Sequence, residues 1–160
     1  MVTRFGIGFD MHKLVKGTPL VLAGVKIPYS MGLKGDSDAD VVCHALIDAL
    51  LGSIGQGDIG TFFGMGKPEL MNAVSLKLLE QTRTHINKEG FMVSNADCSI
   101  IAQSPHLNEF RKDMINNLNV VLGTDHVSVK YTTPKHIGPL GNSEAIACVA
   151  IASVIENTNK

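Results

Sequence analysis

The run Ala145-Ile146-Ala147-Cys148-Val149-Ala150-Ile151 is apolar without interruption, and it constrains the fold more than any other stretch. Side chains of this kind leave no polar face for water, so the segment has to be buried, in the core or between subunits. Read at helical length, residues 144–156 predict a last helix that is apolar nearly all round. No run of about 18 apolar residues occurs in the chain, which excludes a helical membrane span. Apolar residues make up 44% of the 160, enough for a sizeable core, and with no Trp and 5% aromatics that core must be aliphatic.

Hydropathy periods place the other elements. Residues 5–9 and 19–28 read as strands. A helix is expected over 38–51, with Ser37 as its N-cap and Asp40 as a weak capping-box partner. The glycines at 52, 55, 57 and 60 break the chain into a long loop. A second helix is expected over 75–88, ended by Gly90, then extended chain over 91–103, a helix over 108–121 and a strand over 126–132. The order ββ-α-α-β-α-β-α implies an α/β (α+β layered) fold, a single domain over 1–160 with helices packed on one face of a sheet. Fourteen basic and fifteen acidic residues nearly cancel, so the chain has no electrostatic footprint for nucleic acid or an anionic membrane. Cys43, Cys98 and Cys148 form no CxxC pair and read as reduced thiols in the cytoplasm. The first five residues lack a long apolar h-region and read as mature protein.

Four constellations carry chemistry. In Gly8-Phe9-Asp10-Met11-His12, an extended chain projects Asp10 and His12 to the same side, and both are ordinary zinc ligands. Taken alone, the commoner explanation of such a pair is a polar strand end facing water. Around the next helix start, Asp40, His44 and Asp48 share one helical face. His44 is either a core histidine satisfied by Asp40 or Asp48, or a metal ligand oriented by one of them. Ser37 caps in either case and suits an anion at the helix N-terminus. Asp58, Ile59 and Gly60 lie in a glycine-rich loop that reads as a turn or as backbone approaching a ligand. Thr132, Thr133 and Lys135 place hydroxyls and a cation at a strand end, which suits a phosphate, although paired threonines are often only strand formers. His85, His106, His126 and His136 are expected to face solvent.

Together these segments resemble the 2-C-methyl-D-erythritol 2,4-cyclodiphosphate synthase family of the non-mevalonate isoprenoid pathway. The likeness runs nearly end to end and is strongest in GFDMH (8–12), SDADVVCHALIDALLG (37–52), GDIG (57–60), NADCSIIAQSP (95–105) and VKYTT (129–133). The resemblance implies a homotrimer with active sites between subunits and zinc held by Asp10, His12 and His44. It implies a cytidine-diphosphate methylerythritol substrate bearing a 2-phosphate, which closes on the β-phosphate and expels CMP. Ala102, Gln103 and Pro105 then lie where the family binds cytidine, and Asp58, Ile59, Gly60 and Phe63 where it holds the sugar alcohol. Ser37, Thr132 and Lys135 fall beside the phosphates, and Thr133 and Asp36 at its catalytic positions. Magnesium or manganese is implied at the diphosphate.

Departures cluster at the same positions. Asp36 stands where the family has a histidine, and Lys135 where it has a magnesium-binding glutamate. Phe63-Gly64-Met65-Gly66-Lys67-Pro68 lacks the family's two loop acids, Asn142 replaces an arginine, Pro139 a phenylalanine and His106 a lysine. A carboxylate at Asp36 would repel a phosphate oxygen by about 4 kcal/mol at roughly 4 Å, taking an effective dielectric near 20. The fixed charge of Lys135 offers one compensation, in place of magnesium. Three functions are therefore expected to compete: the synthase, a catalytically impaired zinc-bearing trimer that binds a nucleotide or isoprenoid diphosphate, and a zinc phosphohydrolase in which Asp36 activates water.

Overall fold

A computed structural model of the chain describes residues 2–64 and 73–157. The first strand, β1 (Thr3–Lys16), alternates strictly: Phe5, Ile7, Phe9 and Met11 are exposed on one face, and Gly6, Gly8, Asp10 and His12 occupy the other. A short hairpin follows, β2 (Leu20–Leu22) and β3 (Val25–Ile27), where one strand was expected. Its turn, Ala23-Gly24, has positive φ at both residues (48° and 73°), the backbone twist that suits a two-residue hairpin. The unforeseen edge strand β4 (Met31–Leu33) then pairs with the end of β1.

Helix α1 (Val41–Ser53) is buried on most sides. Its N-cap is Asp40 and not Ser37: the Asp40 carboxylate accepts the Val42 and Cys43 N–H groups at 3.1 and 3.2 Å. Asp40 also accepts Ala23 N–H at 2.9 Å and Gly24 N–H at 2.8 Å, so one buried carboxylate ties the hairpin turn to the helix start. A one-and-a-half-turn helix, α2 (Ile59–Phe63), replaces part of the expected loop. The elements α3 (Ser75–Lys88), β5 (Phe91–Ile101), α4 (Arg111–Leu122) and β6 (Val127–Thr132) lie close to where periodicity places them. A four-residue helix, α5 (Gly138–Gly141), precedes the last element.

That last element corrects the sequence expectation. Residues 145–156 form a strand, β7 (Ala145–Glu156), and not a helix. It runs through the middle of a five-stranded mixed sheet of order β4-β1-β7-β5-β6, antiparallel to β1 and β5, with β6 parallel to β5. The inference of burial is right and the period is wrong. A central strand covered by α1 is also apolar at successive positions, and Ile146, Val149, Ile151, Val154 and Ile155 are β-branched, which favours the pleated form. The core joins the α1 leucines to Ile100, Leu118, Ile146 and Val154.

Helix α1 approaches β1 closely. A Cβ on Gly6 would lie 1.9 Å from the Ala49 carbonyl oxygen, and one on Gly8 1.9 Å from that of Ala45. Gly8→Ala is therefore expected to lift α1 off β1 at about 1–3 kcal/mol. Gly52→Ala, in the same helix with nothing within 4 Å of a Cβ, should hold or raise stability. Thermal melts of both variants check this, and equal melting temperatures would refute it.

Candidate metal centre and the surfaces around it

The alternation of β1 sends Asp10 and His12 to the side on which α1 lies, and the close approach of α1 brings His44 over them. His44 Nδ1 lies 3.0 Å, and His12 Nε2 3.1 Å, from Asp10 Oδ2. The side chains are 24%, 22% and 12% exposed for Asp10, His12 and His44, so the cluster is recessed but reachable. Among the described residues it is the one group of three such side chains whose ligand atoms all fall within 4.8 Å of one another. The set fits a divalent ion such as zinc: tetrahedral bonds of about 2.0–2.2 Å hold neighbouring ligand atoms roughly 3.3–3.5 Å apart. Three protein ligands leave one position for an outside oxygen.

The surroundings fix the rings. His12 Nδ1–H donates to the Lys34 carbonyl at 2.6 Å, which leaves the Nε2 lone pair for the shared point. His44 Nε2 faces Ser75 Oγ at 3.0 Å and Ser37 Oγ at 3.2 Å. The helical spacing suggests Asp40 or Asp48 as the partner of the His44 ring, but neither carboxylate is hydrogen-bonded to it; Asp40 meets His44 only through its backbone carbonyl, which accepts the His44 N–H at 3.0 Å. Asp40 is spent on backbone donors, and Asp48 accepts Ile59 N–H at 2.8 Å. Burial pushes the Asp10 carboxyl up, but hydrogen bonds and charges from His12 and His44 outweigh it and hold Asp10 well below the usual range. His12 is raised by its hydrogen bond to Asp10, against burial, with help from the Lys34 carbonyl and the charges of Asp10 and Asp36.

An open cavity of about 330 Å³ adjoins this cluster, lined by Thr18, Pro19, Leu33, Lys34, Gly35, Ser37 and Asp38. Asp36 is exposed in the same turn, and His12 feels its charge. A second open groove, about 460 Å³, is lined by Asp48, Asp58, Ile59, Gly60 and Thr61. Asp58 caps α2 by accepting Thr61 N–H at 2.7 Å, which lowers its pKa, while burial raises that of Asp48. Phe63 is half-buried with its ring edge-on to Phe62. Met65, Gly66, Lys67 and Pro68 lie outside the described residues.

The remaining candidates gather at the far edge of the sheet. Ala102 is buried and its N–H donates to the Thr132 carbonyl at 3.1 Å, joining the 102–105 segment to the end of β6. Gln103 Oε1 accepts His136 N–H at 3.0 Å, and His106 Nδ1 lies 3.0 Å from the Tyr131 hydroxyl. Pro105 and Thr133 are half-buried, while Thr132 and Lys135 are exposed, Lys135 in a left-handed turn at φ 55°. His106, His126 and His136 are exposed as expected; His85 is half-buried, against Gln56 and Phe62.

This edge and the metal cluster do not meet within one chain. The register Asp10↔Cys148, Cys148↔Ile100, Ile100↔Tyr131 puts three strand spacings, about 14 Å, between them. Thr132 moreover follows Ser128 and Lys130 on the side of β6 opposite Val127 and Val129, away from the helices. Sequence reasoning missed Ser75 and the pairing of Asp38 with it, and it credited Asp48 to His44 where the structure puts it beside Asp58 and Ile59. Ser75 stands 31 residues from His44, and only folding brings it there.

A mixed sheet with helices, carrying a carboxylate and two imidazoles at one recessed point, defines a candidate divalent-metal protein. The YgbB family model matches residues 3–155, and the chain belongs to that family. A protein of Desulfatibacillum aliphaticivorans named 2-C-methyl-D-erythritol 2,4-cyclodiphosphate synthase is 44% identical over 93% of this chain and 97% of its own length. The protein of that name from Bacillus subtilis (strain 168) is 44% identical over 92% and 94%. The IspF protein of Plasmodium falciparum, solved as a CDP complex, superimposes with a TM-score of 0.85 at 34% identity, covering 98% of this chain and 97% of that one. The bifunctional IspDF of Campylobacter jejuni gives 0.93 at 37% identity, covering 99% of this chain and 44% of that longer one. No described helix is long and apolar enough to cross a membrane.

The raised His12 makes metal binding pH-dependent, because a proton on Nε2 competes with the ion. As pH falls below that raised pKa, zinc affinity should drop by at least about tenfold per pH unit, because each histidine ligand that takes up a proton adds to the loss, and above it level off. Asp10, already ionised, adds nothing in that range. Chelator competition between about pH 5 and 8 measures the slope; a flat profile, or zinc retained by His44→Ala, would overturn the assignment.

Proposed function

We propose that the chain converts 4-diphosphocytidyl-2-C-methyl-D-erythritol 2-phosphate to 2-C-methyl-D-erythritol 2,4-cyclodiphosphate and CMP. The observation that carries this is the convergence of Asp10, His12 and His44 beside a cavity edged by Ser37, in a chain 44% identical to proteins of that name. An oxygen of the 2-phosphate bonds to the β-phosphorus, the bond to the oxygen bridging to the α-phosphate breaks, and that oxygen leaves with CMP. Such a transfer needs positioning and neutralised charge more than covalent help from protein. Zinc bound by Asp10, His12 and His44 would polarise a phosphate oxygen.

The chain's own residues divide the rest. Ser37 donates its hydroxyl to a phosphate oxygen; Asp58, Ile59, Gly60 and Phe63 hold the sugar alcohol. Ala102, Gln103 and Pro105 seat the cytosine, and Thr132 and Thr133 bind the diphosphate, Thr133 beside the β-phosphorus as it is attacked. Lys135 supplies beside the diphosphate the fixed positive charge that magnesium or manganese supplies in relatives. Asp36 acts on the metal side, near His12, where a divalent cation offsets its charge. A cytoplasmic setting suits the three buried free thiols.

The metal cluster and the Thr132 edge face opposite sides of one sheet, so one chain does not complete this site. The helix-free face exposes Phe5 (70%), Ile7 (69%), Phe9 (56%), Met11 (51%) and Ile151 (47%), an apolar patch that demands a cover. Three copies packed through these faces cover the patch and bring the metal cluster of one subunit to the threonine edge of the next. We therefore assign a homotrimer with its sites between subunits.

Incubation with the diphosphocytidyl substrate, followed by phosphorus NMR, should show CMP and cyclic diphosphate, with turnover persisting without magnesium. Open-chain hydrolysis products would favour a phosphohydrolase, an unchanged substrate the non-catalytic binder, and strict magnesium dependence would refute the role of Lys135. Ile7→Asp should yield a monomer by light scattering that retains zinc but no longer cyclises; an active monomer would refute the shared site.

A further inference from the structure

We infer that Ser75 and Asp38 are positioning residues for the metal: together they hold His44 in the one tautomer that can bind it, and so leave the Ser37 hydroxyl proton for a phosphate. The inference rests on the metal half of the reading above and deepens it.

Ser75 is fully buried at the first position of α3, a helix whose N-cap residue, Val74, offers no side-chain cap. Asp38 serves there instead. Its Oδ2 accepts Ser75 N–H at 3.0 Å, its Oδ1 accepts the Ser75 hydroxyl in a short hydrogen bond, and its own N–H donates to the Ala73 carbonyl at 3.2 Å. The Ser75 hydroxyl proton is thus committed to Asp38. Its oxygen can only accept from the group on its other side, His44 Nε2 at 3.0 Å. Nε2 therefore carries the imidazole proton, and the lone pair on Nδ1 faces Asp10 Oδ2 and the point between the ligands. This carboxylate–hydroxyl–imidazole chain does for His44 what the Lys34 carbonyl does for His12.

Ser37 follows by elimination. Its oxygen accepts Ala39 N–H at 3.2 Å and sits 3.2 Å from the same Nε2. A protonated Nε2 cannot accept, so the Ser37 hydroxyl proton has no use there and is free to donate into the cavity lined by Lys34, Gly35 and Ser37. Two serines at nearly equal distance from one nitrogen thus have different jobs. Ser75 orients the ligand and Ser37 meets the anion.

The test separates positioning from mere helix capping, because Ser75→Ala removes the hydroxyl and keeps the N–H that Asp38 caps. Chelator competition on the full chain, at a temperature where the metal-free variant is still folded, should show zinc binding about 10–100-fold weaker in Ser75→Ala. The visible spectrum of the cobalt(II)-substituted variant should shift as His44 loosens. Ser37→Ala should keep parental zinc affinity and raise KM. Should Ser75→Ala not fold, Asp38→Asn retains the shape without the charge and should weaken zinc in the same direction. Nitrogen-15 NMR of the histidines should then show His44 divided between two tautomers. Parental zinc affinity in Ser75→Ala and in Asp38→Asn would overturn the inference, as would an equal loss in Ser37→Ala. These metal readouts use no diphosphocytidyl substrate. A chain that needs Ser75 for zinc yet forms no cyclic product would refute the proposed function and leave the positioning role standing.

Discussion

The contact between α1 and β1 governs the rest of the structure. Gly6 and Gly8 present bare backbone to the carbonyl oxygens of Ala49 and Ala45, and no side chain fits between. Helix and strand therefore meet at a distance that larger residues forbid. The metal cluster depends on that distance, because Asp10 and His12 continue the glycine face of β1, and His44 precedes Ala45 on α1. A helix held farther off by ordinary side chains would carry His44 away from Asp10 Oδ2.

A second constraint sets where α1 begins. Asp40 is fully buried, and burial raises its pKa against the N–H groups of Gly24, Ala23 and Cys43 that favour its charged form. A buried carboxylate is tolerated only with its acceptor sites filled, and here they are filled by backbone donors from the hairpin turn and from the first turn of α1. The same residue fixes the helix start and the turn it leans on. Ser37 and Asp38, three and two residues upstream, are thereby placed beside His44. The capping that sequence spacing credited to Ser37 belongs to Asp40, which frees Ser37 to face the cavity.

Legibility followed the range of the interactions. The helix of residues 75–88 and the strand of 127–132 are set by local period and end signals, and both lie close to where the sequence puts them. The three metal residues were visible as types and spacings, and the resemblance joined them. The segment at 145–156 misled because both its faces are apolar, one packed under α1 and the other reaching the exposed patch at Ile151, and that erases the period that tells strand from helix. The hairpin at 20–27 was hidden in a single apolar run, since Ala23 is an unusual residue for a left-handed turn, and Asp40 must hold its N–H in place. Ser75 and Asp38 left no local trace at all. Their contact joins positions 37 residues apart, and no pattern within a helix or strand encodes it.

The alternation of β1 carries the deepest economy of the design. Phe5, Ile7, Phe9 and Met11 occupy one parity; Gly6, Gly8, Asp10 and His12 occupy the other. One face thus carries a helix and the candidate metal cluster, and the other an open apolar patch. The two cannot be tuned apart, because a slip of one residue in the pairing with β7 would turn every side chain over, setting phenylalanines against α1 and the metal ligands on the open face. The long register from Thr3↔Ile155 to Lys13↔Ala145 is what guards against that slip. It also explains why β7 must be apolar throughout: on one side it completes the core beneath α1, and on the other, at Ile151, it extends the patch that β1 exposes. The apolar run at 145–151 is therefore part of the strand through which the candidate metal cluster and the open apolar face are held in register.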